Sequence, residues 1–177
     1  VGTCWMHLNA PAKAIEYLKS ALNVKPDHPV ANARLGATYL AIGRPNRALK
    51  HLEIAHVAMP ESTGNRANLA RVLLELGQPE KALDLLPEIE GAESTDDELY
   101  IMARSEALLA LEKGDEAEHV LANLSKTSSE ASLLRIIQFH QARGQYDSAL
   151  EVLDEALKRY PESVRLIVTA SDLSELR

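Results

Sequence analysis

Ala14, Ala48 and Ala82 are evenly spaced along the chain, and Pro11, Pro45 and Pro79 share their interval, as do Leu18, Leu52 and Leu86. Pro26 and Pro60 keep the same distance, as do Gly43 and Gly77, with Asn9 on the earlier place of that glycine column. One period shared by several columns means a supersecondary unit copied along the chain, each copy too small to bury its own apolar face and therefore stacked on its neighbours. Further on, "RGQYDSALEVLDEALKRYPES" (143–163) carries the pattern again through Gly144, Tyr146, Ala149, Leu153, Ala156 and Pro161.

Each copy reads as two helices. From Pro29 to Ile42 the apolar residues fall at helical spacing (Leu35, Thr38/Tyr39, Ile42), and Gly43 supplies the left-handed conformation that ends a helix. Pro45 suits the first position of the next helix, which runs to about Ala58 and ends at Pro60. Gly36 and Ala48 are expected where the two antiparallel helices approach most closely. Ala55 is expected where the first helix of the next copy packs, with Tyr39 filling the wider space between crossings.

A helix–turn–helix with a period of 34, carrying L-G-x-x-Y, then A, A and P, resembles the tetratricopeptide repeat. The second copy supplies Leu35, Gly36, Tyr39, Gly43, Ala48, Leu52, Ala55 and Pro60, with Asn32 in place of the usual tryptophan. The resemblance implies an all-α fold, a right-handed α-solenoid of stacked antiparallel helix pairs. It implies one array over 1–177: a partial repeat at 1–28, repeats at about 29–62, 63–97, 98–129 and 130–163, and the start of a further one at 164–177. Two departures stand out. Pro87 falls inside what the period makes a second helix, which must kink or stop near Leu86. The alanine column also slips: Ala82 to Ala117 is one position longer than the period, and Ala117 to Ala149 is two shorter. After the acidic stretch "PEIEGAESTDDE", Thr95 and Glu98 are expected to form a capping box.

Composition narrows the function classes. The chain is 46% hydrophobic and 25% charged with one Trp, five Tyr and one Phe, a balance that suits helices and argues against a β-rich fold. Its apolar runs are too short to span a bilayer, so no direct membrane insertion of this stretch is expected. The single cysteine, Cys4, rules out an internal disulfide and leaves the compartment open between cytoplasm and bacterial periplasm. Val1 at the start and a helical pattern running out at Arg177 read as a piece of a longer protein, with end helices through which copies could associate. Residues 1–60 hold seven basic and three acidic groups, 61–131 six and sixteen, and 132–177 six and seven, net +4, −10 and −1. Dispersed cations on an acidic chain argue against a nucleic-acid partner.

The resemblance implies a concave surface lined by first helices that grips a partner protein's peptide or helix. The residues placed there are Arg34, Asn68, Arg71, Glu75, Glu106, Arg135, Gln138 and Gln141. The subset of the family that clamps C-terminal carboxylates needs lysine and asparagine at 33 and 37, and this chain has alanine at both. No catalytic, cofactor or metal site is legible. His51 and His56 are five apart, off the i, i+4 spacing of a helical zinc pair; His140 takes the tyrosine place of its repeat and reads as a packed ring; Cys4 beside Trp5 has no base near it in sequence. "STDDE" lacks the alternating ligands and glycine of a calcium loop and fits a helix N-terminus. The resulting expectation is a non-enzymatic interaction scaffold. Two narrower alternatives are an arm of a bacterial polysaccharide export or secretion system, and a regulatory region of an enzyme or DNA-binding protein whose active part lies elsewhere.

Overall fold

Proline fixes where helices begin. Four of them open on one: α1 (Pro11–Val24), α2 (Pro29–Ala41), α3 (Pro45–Ala58) and α5 (Pro79–Asp84). The locked φ is already helical, and the missing N–H would have had no partner in the first turn. A computed structural model describes residues 11–89, 94–122, 124 and 129–175, so Cys4, Trp5, His7, Asn9 and part of the acidic stretch lie outside the described residues. The other helices are α4 (Thr63–Glu75), α6 (Thr95–Ala110), α7 (Gly114–Ala122), α8 (Glu130–Ala142), α9 (Tyr146–Arg159) and α10 (Val164–Glu175), and no strand occurs among the described residues. The fold is all-α, a solenoid-like helical repeat.

The helices form two compact units, 1–123 and 124–177. In the first, α1 packs on α2, α2 on α3, α3 on α4, α4 on α5 and α6, and α6 on α7; α2 also touches α4, so first helices line up beside one another. Leu35, Tyr39, Leu52, Leu86 and Tyr100 share its core. In the second unit α9 packs on α8 and on α10 around Ile137, Leu153, Leu166 and Leu173.

Small residues sit where rods touch. A Cβ on Gly36 would fall 2.5 Å from Leu52 Cγ and 3.3 Å from the Ala48 carbonyl oxygen, so α2 and α3 meet over a bare backbone. Ala48, Ala55 and Ala82 are fully buried, as their columns required. Asn32, standing where the repeat usually has tryptophan, replaces an indole with a polar network. Its buried Nδ2 donates to the carbonyls of Pro26 (2.9 Å) and His28 (3.1 Å), leaving Oδ1 to accept from His51 Nδ1 at 2.8 Å. The His51 ring stacks on Tyr39. Burial, with Lys50 and Lys19 nearby, holds this imidazole below its ordinary pKa.

The turns settle the register through the irregular stretch. Gly43, Gly77, Glu112 and Gly144 have φ of 67, 70, 61 and 70°, each just past a first helix. At each place the next residue's N–H bonds a carbonyl five residues back: Arg44 to Tyr39, Gln78 to Leu73, Lys113 to Leu108 and Gln145 to His140, all at 2.9 Å. The left-handed column thus lengthens its step at Glu112 and shortens it at Gly144, in register with the buried alanines 48, 82, 117 and 149. The slips therefore lie in the connections, and every hairpin keeps its internal spacing.

Pro87 acts as expected: α5 stops at Asp84 after six residues. The carbonyls freed beyond it are taken by α6, Leu86 O by the Arg104 guanidinium and Pro87 O by the buried Tyr100 hydroxyl at 2.7 Å. One expectation is corrected. The capping box of α6 is Ser94 with Asp97, one residue before Thr95 with Glu98. Ser94 is extended (φ −139°, ψ 166°), the geometry a cap needs; its hydroxyl accepts from Asp97 N–H and the Asp97 carboxylate accepts from Ser94 N–H, while Thr95 is already helical.

Gly36→Val should destabilise the protein by about 1–3 kcal/mol, because Leu52 has nowhere to retreat; an unchanged urea midpoint would show that the helices part freely. Glu112→Gly should raise stability by about 1 kcal/mol by relieving the only positive-φ non-glycine among the described residues. A midpoint that fails to rise would contradict that account.

Candidate functional site

Val30, Ala33, Arg34 and Ala37 recur at i, i+3, i+4 and i+7, which puts them on one face of α2. That face forms a wall of a cleft of about 250 Å³. Met59 and Ser62 close it from the turn before α4, and Gly64, Asn65 and Asn68 face it from α4. Asp96, in the first turn of α6, stands at its far side. Three successive first helices thus contribute to one concavity, with the C-cap residue of α3, Met59, at its border.

The α4 residues set its chemistry. Ser62 caps α4, its hydroxyl accepting from Asn65 N–H at 3.3 Å. Gly64 has no side chain, and a Cβ there would lie 2.7 Å from both Cγ and Oδ2 of Asp96. The missing methyl is what lets the Asp96 carboxylate seat against the α4 backbone. Asp96 makes no hydrogen bond or ion pair with the described residues. Asn65 is only 7% exposed, yet its Nδ2 has no hydrogen-bond partner among them. A buried N–H left unpaired costs about 1–3 kcal/mol, and such a group calls for a specific reason.

Two of the residues placed on the binding face, Arg34 and Asn68, line this cleft. Arg71 and Glu75 lie further along α4, half-buried and exposed, and Glu106 is half-buried on α6; none of the three is among its walls. Arg135, Gln138 and Gln141 lie on α8 in the other unit. Sequence reasoning missed Asn65 and Asp96. Asn65 had a signal: it falls one repeat period after Ala31, a buried core position of α2, so it breaks a core column with an amide. Asp96 had none beyond its place in a helix start.

A shallower cavity of about 470 Å³ lies beside α2 and α3, lined by Pro29, Ile54 and the 83%-exposed Val57 among others. It is larger but more open, bordered by Lys25, Asp27 and Glu53 as well as aliphatic side chains, and none of its lining residues carries a buried polar atom left unpaired. The smaller cleft is the one lined by a residue with a buried unpaired polar atom, Asn65. His140 packs as a buried ring, Nδ1 2.9 Å from Gln145 Oε1 and edge-on to Phe139. Among the described residues no three His, Cys, Asp or Glu side chains gather as metal ligands would, and no helix is long and apolar enough to cross a membrane.

If Asn65 is kept for something other than stability, Asn65→Ala should stabilise the fold by about 1 kcal/mol, as it deletes an unpaired buried amide at a column that takes alanine in α2. A loss of stability in a thermal or urea melt would show that the amide is structurally paired.

Comparison with known proteins bears on the fold. Family models described as "Tetratricopeptide repeat" match residues 6–55 and 130–173, and one described as "Anaphase-promoting complex, cyclosome, subunit 3" matches 46–124. No curated protein matches the chain. Among solved structures, TTC0263, a thermophilic TPR protein in Thermus thermophilus, is 21% identical with a TM-score of 0.80, over 97% of this chain and 94% of that one. YrrB, described as a TPR protein with an unusual peptide-binding site, is 21% identical with a TM-score of 0.60, over 97% and 88%. MamA from Desulfovibrio magneticus RS-1 is 15% identical with a TM-score of 0.65, over 92% and 93%.

Proposed function

This chain is a tetratricopeptide repeat protein, and from that premise we propose that it is a non-enzymatic scaffold holding an extended segment of a partner protein in the cleft between α2, α4 and α6. The observation that carries the reading is the cleft itself. Its α2 wall carries the short side chains of Val30, Ala33 and Ala37 beside Arg34, and Asn65 and Asn68 line it from α4. A narrow trough with small side chains along one wall and amides along another suits an extended backbone, whose carbonyl and N–H groups need partners every few ångströms. Alanine at 33 and 37 removes the lysine and asparagine with which one subset of the family clamps a terminal carboxylate, so the reading does not invoke that clamp. The peptide-binding site described for YrrB is in keeping with this reading.

Peptides selected from a random dodecapeptide display library on the wild-type chain should bind the Arg34→Ala/Asn68→Ala double variant about tenfold more weakly, the effect of losing one or two directed hydrogen bonds. Its melting curve should stay near wild type, since neither side chain is fully buried. Equal affinity in the double variant would remove this face from consideration.

A further inference from the structure

Resting on that peptide-binding reading, we infer that the cleft selects a segment carrying a lysine or arginine: the cationic side chain engages the Asp96 carboxylate while a neighbouring backbone carbonyl accepts from Asn65 Nδ2. Two unmet groups of opposite kind meet in one concavity. Asn65 Nδ2 is a donor, more than nine-tenths buried and unpartnered among the described residues. Asp96 is an exposed carboxylate with no protein partner there, seated on the bare α4 backbone at Gly64. A ligand that satisfies both must bring a carbonyl and a cationic donor close together, and a basic residue in an extended peptide does so with its own or an adjacent carbonyl.

Charge favours the same ligand. The first turn of α6 holds Asp96, Asp97 and Glu98. Asp97 is engaged in the capping box, and Arg66 and Arg104 lie near Tyr100 of the same helix, so Asp96 is the carboxylate of this turn that borders the cleft. The 61–131 segment that supplies the α4 and α6 walls is net −10. An acidic residue at this place would meet Asp96 and be repelled. Arg34, the one cation among the walls, lies on the opposite helix from Asp96, and since both side chains are exposed water screens each of them.

The test uses the full chain and N-acetylated, C-amidated hexapeptide sub-libraries whose third position is fixed as Lys, Arg, Ala or Glu, the others being degenerate. With wild type, the Lys and Arg pools should bind about tenfold more tightly than the Glu pool, the discrimination a single charge-assisted contact provides. Asp96→Asn should abolish the preference. Gly64→Ala keeps every charge and adds a helix former, yet its methyl displaces the Asp96 carboxylate, so the preference should shrink there too. Pools that bind without a basic preference, or a preference that survives Asp96→Asn, would overturn this inference and leave the scaffold reading standing. No binding by any pool would overturn both.

Discussion

The close approach of paired helices over residues with little or no side chain governs this molecule. At Gly36 the backbone of α2 lies against Leu52 of α3, and fully buried alanines at 48, 55 and 82 mark the contacts that follow. Side chains this small let helices pack near the lower limit of interaxial distance. The larger residues, Leu35, Tyr39, Leu52 and Tyr100, then interleave between crossings as core. In the first unit, one side of the pairs is left to the first helices, α2, α4 and α6, and the cleft follows from that arrangement.

Within the repeat, departures from the pattern are met by local compensation. Asn32 takes the place of an indole and pairs its whole amide with Pro26, His28 and His51. Pro87 cuts α5 short, and Arg104 and Tyr100 reach across from α6 to the carbonyls released. Glu112 bears the left-handed turn that glycine takes in the neighbouring hairpins. Asn65 differs from Asn32: it too is a buried amide in a first helix, but its Nδ2 is left unanswered among the described residues, as are Arg104 Nε and His56 Nδ1 elsewhere. Asn32 and Asn65 hold neighbouring places in successive first helices, and only one is self-sufficient. That contrast is the basis for assigning Asn65 to a ligand.

Helix pairing, the turn column and the stop at Pro87 were legible in the sequence because each rests on a local rule: a fixed period, a residue that tolerates positive φ, a residue that cannot continue a helix. The capping box was misplaced by one residue because Ser94 and Thr95 are both competent caps, and the backbone angle of Ser94 decides between them. The site was legible only in part. Arg34 and Asn68 follow from helical phase, since both sit at the same place of successive first helices. The significance of Asp96 depends on Gly64, at the start of the preceding first helix, lacking a methyl, a tertiary coincidence that no periodicity reveals.

The most direct test of the central claim, that α2, α4 and α6 frame a cleft whose unmet amide belongs to a peptide, is the Asn65 side-chain ¹H–¹⁵N resonance followed as a bound peptide is added. The account predicts that the Nδ2 protons move downfield and become protected from exchange, with backbone shifts confined to residues around Val30, Ala37 and Asn68. An unmoved Asn65 resonance, with shifts gathered instead around Ile54 and Val57 on the opposite side of the hairpin, would contradict it.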